Sequence, residues 1–422
     1  MKLNYKRTFF VGFAFMSICA FWELYDGIVP KMLKDTFGMK ETATGTVMAL
    51  DNILALFLLP LIGAFSDRVN TRFGKRMPFI VAGTALASVF IILMPISEQW
   101  GSLPLFMTAL GVVLVAMGLY RSPAVALMPD ITPKPLRSKA NAVINLMGTL
   151  GGAYTLLVIK FLYQEDGDSN LIVFASVVAL MILAVGLLVI TIKERKMSLP
   201  ADQAGYEPAE KAADHKEKMP KELRRSFVFI MSSIFLWFFA YNAVKSAYSR
   251  YADQVWGIKG GGFAGPLMIA VAAALVSYIP IGFISSRFGR KKVIIGGILL
   301  MTLSYLLGYQ VIEYSFFVNI IFALTGIGWA AINVNSYPMV VEMCKGADTG
   351  RYTGYYYTFS MASQALTPIA SGFLLEHVSY RTLFPYALIF SLASLCTMLF
   401  VKHGDTKPEK KENILEHYDT ED

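Results

Sequence analysis

The sequence predicts an all-α integral membrane protein, with twelve transmembrane helices in two six-helix bundles related by a pseudo-two-fold axis. Three observations carry that expectation. The 422-residue chain is 55% hydrophobic and only 16% charged, with a mean hydropathy of +0.52, whereas soluble domains carry about 25% charged residues. Apolar segments of about 20 residues, the length that spans a bilayer, recur twelve times along it. Finally, a basic turn, Gly63-Ala-Phe-Ser-Asp67-Arg68-Val-Asn-Thr-Arg72-Phe-Gly74-Lys75-Arg76, has a counterpart about half a chain later, Gly282-Phe-Ile-Ser-Ser-Arg287-Phe-Gly289-Arg290-Lys291-Lys292. Each turn closes the second apolar segment of its half, as a duplicated six-helix unit requires. In each, the first glycine lets helices approach closely, and the later one allows a tight reversal.

The first half reads as helices over 8–31, 43–66, 77–97, 103–129, 137–163 and 170–192, and the second as helices over 226–252, 264–286, 293–312, 316–341, 352–374 and 381–402. The domains are therefore 1–192 and 226–402. A polar, charged linker at 193–225 joins them, with room for an amphipathic helix, and a charged tail follows at 403–422. The N-terminal apolar run resembles a signal peptide's opening, but it is too long and carries Glu23 and Asp26, so a retained first helix is expected. Basic residues cluster in alternate turns, at Lys6/Arg7, Arg68–Arg76, Lys134–Lys139, the linker, Arg287–Lys292, Lys345–Arg351 and the tail. The positive-inside rule then places both termini in the cytoplasm. It also explains the net charge of +8 without nucleic acid.

Charges inside spans cost several kcal/mol and mark a pathway, a proton relay or a structural pair. Glu23 and Asp26 share one face of the first helix, and helix direction puts Asp26 and Asp51 at similar depth. Carboxylates facing one cavity oppose each other's ionisation, which suits proton carriers. Asp26, Asp51 and Glu23 are thus the candidate coupling residues. A polar anchor bonded to Asn52 is the alternative for Asp51. Arg121, on the fourth helix, either forks onto substrate hydroxyls or a carboxylate, or pairs with a carbonyl freed by Pro123. The seventh helix carries Trp237, Tyr241, Asn242, Lys245 and Tyr248 at helical spacing, and for Lys245 snorkelling to the interface is the alternative. Trp329 and Asn333 on the tenth helix, Asn145 on the fifth, and Tyr356 and Gln364 on the eleventh complete the candidate binding set. Amides and aromatics spread over both halves suit a hydroxyl-rich ligand, although each alone also serves as helix-packing glue.

At the cytoplasmic helix ends, Asp67, Asp130 and Glu342 lie near Arg68, Arg137 and Arg351. A salt-bridge cluster that latches an inner gate is expected there. Lys259-Gly260-Gly-Gly262-Phe-Ala-Gly265 imitates a dinucleotide loop but follows no strand. No Gly-Lys-Ser/Thr phosphate loop is present, and the four histidines fall outside the spans. The three cysteines lack disulfide or metal-ligand spacing. No enzyme, cofactor or metal is expected, and a proton gradient is the driving ion.

The chain resembles the major facilitator superfamily over nearly its whole length, and the turn Gly63…Asp67-Arg68…Arg72-Phe-Gly74-Lys75-Arg76 is similar to that superfamily's signature. Its extended form, Ser-Asp-Arg-x-x-x-Arg-Phe-Gly-Arg/Lys-Arg-x-Pro-Phe, is similar to the plant sucrose transporters and, more distantly, to the glycoside–pentoside–hexuronide:cation symporters. Ser-Pro-Ala-Val-Ala-Leu-Met-Pro-Asp130 resembles that branch's Gly-Pro-x-Arg-Ala-Leu-x-Ala-Asp. The resemblance implies sugar uptake driven by an ion gradient through alternating access. The departures from it are specific. Where the sucrose transporters carry an Asp and an Arg, this chain has Leu114 and Val125, with its Arg displaced to Arg121. Where the cation symporters carry an acidic pair before a proline, it has Ala55 and Leu59 before Pro60. Coupling is therefore assigned to Asp26 and Asp51. In melibiose-type symporters a first-helix Asp before Gly-Ile-Val contacts sugar, a role that Glu23 approximates. The expectation is a monomeric, proton-coupled symporter of a glycoside or oligosaccharide (sucrose- or maltose-like) in the plasma membrane. The rivals are a proton-driven exporter of amphipathic compounds and a non-transporting receptor on the same scaffold.

Overall fold

The computed structural model describes residues 4–69, 71–133, 136–164, 168–197, 220–343 and 349–405, the side chains of 137–139, 142, 168–169 and 349–351 excepted. Among the described residues there are twelve long helices. The first half holds α1 (Tyr5–Lys31), α2 (Glu41–Arg68), α3 (Met77–Gln99), α4 (Leu103–Ile131), α5 (Arg137–Leu162) and α6 (Asp168–Thr191). The second holds α7 (Lys221–Trp256), α8 (Ala264–Phe288), α9 (Arg290–Gln310), α10 (Phe317–Glu342), α11 (Thr349–His377) and α12 (Leu383–Leu399). Eleven are long and apolar enough to cross a membrane. The other, α11, has the length but is rich in Tyr, Thr, Ser and Gly, as befits a helix that packs on α2 and α7.

Most helix ends differ from the sequence expectation by two or three residues, and the larger differences flank the linker. Helix α7 begins inside the stretch read as linker and runs 36 residues, until Gly257 ends it in the left-handed conformation at φ +64°. A single further turn, Glu194–Met197, follows α6. The expected amphipathic helix of the linker and the tail beyond Asp405 lie outside the described residues.

Packing repeats with a shift of six helices. In the first half α1 packs on α5 and α6, α2 on α4, and α3 on α4 and α6. In the second, α7 packs on α11 and α12, α8 on α10, and α9 on α10 and α12. The halves meet through the matching pairs α2–α11 and α5–α8, with α1 against α7. Small residues allow the tightest crossings: a Cβ on Gly151 would lie 2.0 Å from the Met16 carbonyl oxygen of α1.

Two ends of the bundle can be distinguished. The basic end carries both Arg-Phe-Gly turns, and the Glu41 end carries the α1–α2 connection. At the Glu41 end the halves touch backbone to backbone. A Cβ on Gly45 of α2 would stand 2.0 Å from the Pro368 carbonyl oxygen of α11, and one on Gly372 would stand 2.5 Å from that of Glu41. The bundle is closed at this end.

Candidate substrate and coupling site

Beneath that closure lies a cavity of about 190 Å³ between the halves. Its walls are Trp22 and Asp26 of α1, Met48, Asp51 and Asn52 of α2, Arg121 of α4, Asn242, Lys245 and Ser246 of α7, and Gln364 and Pro368 of α11. On α1, α2, α7 and α11 these residues recur three or four apart, so one face of each helix presents them together. Lys245 spans the gap between the halves. Its Nζ lies 2.9 Å from Asp26 Oδ2 and 3.6 Å from Glu23 Oε2. Asp51 Oδ1 accepts from Asn52 Nδ2 at 2.7 Å. The Arg121 guanidinium sits over the Trp22 ring, 5.8 Å from its centroid.

Six of the expected site residues (Asp26, Asp51, Arg121, Asn242, Lys245 and Gln364) thus line one cavity, and Glu23 joins them through Lys245. Lys245 turns inward onto carboxylates; it does not snorkel. The remaining candidates are elsewhere. Trp237 is 1% exposed, packed in the core. Trp329 stacks on Tyr241 at 3.9 Å and 5°, with Phe238 edge-on. Asn333 is exposed on α10, and the buried Tyr356 lies 3.1 Å from Ser336 Oγ. Asn145 is exposed on α5. Trp22, Met48, Ser246 and Pro368 were not anticipated as lining residues. Trp22, four before Asp26, was legible as its helical neighbour.

A second polar centre organises the basic end. Arg76, 2% exposed, bonds Asp67, Ser66 and, from Nε at 2.8 Å, Asp130. Asp67 and Asp130 therefore share Arg76. The expected partners fail for a simple reason in one case: Asp67 and Arg68 are consecutive on a helix, and such side chains do not face each other. Arg68 and Arg72 are exposed. Glu342 pairs with Arg290, and the side chains of Arg137 and Arg351 lie outside the described set. Arg287 is exposed over the Phe288 ring. Gly63 is held close to α4, where its Cβ would meet Ser122 Oγ at 3.1 Å.

Gly74 adopts φ +117°, and its lack of a side chain admits Glu194. That carboxylate accepts the backbone N–H of Lys75 at 2.7 Å, Arg76 at 2.9 Å and Met77 at 2.9 Å, so it caps the start of α3. An anion is favoured at this helix end, where free N–H groups and the helix dipole converge. The second half repeats the device: Gly289 at φ +92° leads into α9, and Asp405 accepts from Lys291 N at 3.3 Å.

The third centre joins the halves at the Glu41 end. Glu41, 4% exposed, accepts from Arg250 Nε at 2.7 Å and Tyr380 Oη at 2.5 Å, with Lys34 Nζ at 3.5 Å. Glu376 Oε2 accepts from the Thr42 backbone N–H at 2.9 Å. None of these was anticipated, because the second helix was expected to start at residue 43.

A duplicated helical bundle with a charged cavity between its halves defines a multi-pass membrane transport protein. The chain matches the family model of the Major Facilitator Superfamily over residues 11–279 and 266–417, and it belongs to that family. It is a transporter and not an enzyme. An uncharacterized MFS-type transporter from Methanocaldococcus jannaschii is 25% identical over 416 residues, covering 94% of this chain and 95% of that protein. A sucrose transport protein of Arabidopsis thaliana is 24% identical over 31% of this chain and 25% of its own length. The human proton-associated sugar transporter A is 28% identical over 33% and 20% respectively. Among solved structures, the inward open xylose transporter XylE from E. coli superposes with a TM-score of 0.65 at 17% identity, covering 99% of this chain and 98% of that one. That likeness bears on the fold.

Proposed function

We propose that the protein is a proton-coupled symporter of a sugar (a glycoside or oligosaccharide) working by alternating access as a monomer in the plasma membrane, with both termini cytoplasmic. The observation that carries this reading is the Lys245–Asp26–Glu23 ion pair, which crosses between the halves on the wall of the cavity. A bridge of this kind ties the protonation state of one half to the position of the other. Protonating Asp26 weakens its hold on Lys245, and separating the halves exposes carboxylates to solvent. Asp51, across the same cavity, supplies a second proton site held in place by Asn52. Lining amides and Trp22 suit hydroxyls and a sugar's apolar face.

The closed Glu41 end corresponds in this reading to the outside, and the structure to an inward-facing state. A cavity of about 190 Å³ is below the roughly 300–1,000 Å³ of pockets that enclose drug-sized ligands, so in this state it encloses one ring of a glycoside, and a larger sugar needs the halves further apart. The names of the plant and human relatives support sugar and proton, while other partial relatives are named for ectoine and proline or for nitrate; the wider sucrose-transporter branch is the part of the family we assign. Proteoliposome uptake of labelled mono- and disaccharides, with and without an inward proton gradient, tests the proposal. Gradient-driven accumulation that is lost in Asp51→Asn, with exchange retained, is expected. Absence of sugar uptake under every gradient, with competition by lipophilic cations, would favour the exporter. Ligand binding without accumulation would favour the receptor.

A further inference from the structure

Building on the transport reading, we infer that the substrate carries an anionic group, a carboxylate or similar oxyanion, seated on Arg121, so that the solute is an acidic polyol such as a sugar acid. The argument starts from which charges on the cavity are already engaged. Lys245 is held by Asp26 at 2.9 Å and reaches Glu23 at 3.6 Å. Asp51 accepts from its neighbour Asn52. Arg121 differs: Asp51 acts on it across the cavity, but among the described residues no carboxylate lies within ion-pair distance of it, and its guanidinium sits over the Trp22 ring, 5.8 Å from the centroid. Its N–H donors form a planar fork that matches the two oxygens of a carboxylate.

The buried side-chain atoms of the lining that lack a hydrogen-bond partner are Trp22 Nε1, Asn242 Nδ2 and Ser246 Oγ, and each of them can donate. A wall of unpaired donors around a preformed guanidinium calls for acceptor oxygens. A carboxylate supplies two in the fork's own geometry, with stronger charge-assisted bonds than neutral hydroxyls form.

Charge balance connects the anion to the proton. Glu23, Asp26 and Asp51 against Arg121 and Lys245 leave one net negative charge on the ionised site, and the tyrosines near it, Tyr25, Tyr241 and Tyr357, add none when neutral. A neutral sugar leaves that charge unchanged. An anion entering alone would double it, whereas an anion entering with one proton leaves it as it was. Proton and anion binding therefore promote each other, and by linkage the effect is reciprocal. One proton carried with one monoanion makes transport electroneutral.

The test uses the full chain in proteoliposomes. Labelled glucuronate and gluconate are compared with glucose and sucrose under an inward proton gradient, with and without a potassium-diffusion potential. Glucuronate is expected to accumulate, to compete at least about tenfold better than glucose, and to enter at a rate the potential does not change. Arg121→Gln should lower glucuronate competition about tenfold or more, and Arg121→Lys should restore part of it. If either variant fails to fold, the wild-type competition ratio and the response to potential still decide. Neutral sugars accumulating under the gradient, accelerated by a negative-inside potential and undisturbed by glucuronate, would overturn the anionic substrate and leave sugar symport standing. Accumulation of neither neutral nor acidic sugar under any gradient would overturn both.

Discussion

Replacing Glu41 with glutamine removes the charge that Arg250, only 3% exposed, faces at 2.7 Å across the two halves. After the substitution Arg250 keeps its bond from Nη1 to the Ser246 carbonyl at 3.0 Å and an amide oxygen in place of the carboxylate, but its charge is buried without a counterion. Breaking one side of a buried pair costs about 3–5 kcal/mol. The penalty falls on the conformation closed at the Glu41 end, because parting the halves hydrates the guanidinium. Taking the lower figure of about 3 kcal/mol, and about 1.4 kcal/mol per factor of ten, the ratio of closed to open shifts by roughly 100-fold. Lys34, whose buried Nζ lies 3.5 Å from Glu41 and over the Tyr380 ring, loses the same counterion and does not offset this. The assay is thiol reactivity. With Cys19, Cys344 and Cys396 replaced by serine, a cysteine at the cavity position Met48 is challenged with an impermeant maleimide from the Glu41 side. Glu41→Gln should raise its rate by up to about 100-fold, and Glu41→Gln with Arg250→Gln should recover most of the shift. A change below about threefold, or additive effects of the two substitutions, would refute the reasoning.

Further predictions probe the other contacts. Gly45→Ala puts a Cβ 2.0 Å from the Pro368 carbonyl oxygen, so α2 and α11 must separate; maleimide reactivity at position 48 should rise in the same direction as in Glu41→Gln, and unchanged reactivity would mean that the two helices do not form the seal. Lys245→Gln leaves Asp26 and Glu23 without their shared cation, and gradient-driven accumulation should fall at least about tenfold while exchange persists; intact accumulation would remove Lys245 from coupling. Gly74→Ala meets both the φ of +117° and a Glu194 carboxylate oxygen 2.3 Å from the new Cβ. Left-handed backbone costs a non-glycine residue about 1–2 kcal/mol, and loss of a helix cap costs about 0.5–2 kcal/mol. Thermal unfolding in detergent should therefore begin several degrees lower, with Glu194→Gln showing the smaller shift, and a wild-type melting curve for Gly74→Ala would exclude the capping role.

The fold was readable because a bilayer leaves few choices. Backbone groups in lipid must bond within their own segment, so each apolar run of spanning length is a helix whatever packs beside it. The doubled Arg-Phe-Gly turn announced the duplication because its glycine must sit at positive φ in both halves, at Gly74 and Gly289. The site was readable in part. Asp26 and Asp51 were paired by depth from helix direction alone, and they do face one cavity. Trp237 lies in the core and Trp22 on the cavity wall, because spacing shows which residues share a helix face but not which way that face turns in the bundle.

The sequence by itself determined the class of protein, the long apolar helices that build it, and the short set of charges that a membrane would not carry without a use. These follow from local chemistry: apolar length, turn residues and the cost of ionised groups in lipid. Only the tertiary structure decided the pairings. Lys245 with Asp26, Arg76 with Asp67 and Asp130, Glu194 with the start of α3, and Glu41 with Arg250 209 residues away all depend on how helices rotate and which ends meet. An ion pair forms over about 3 Å, and no pattern along one chain encodes a distance between helices that packing alone sets.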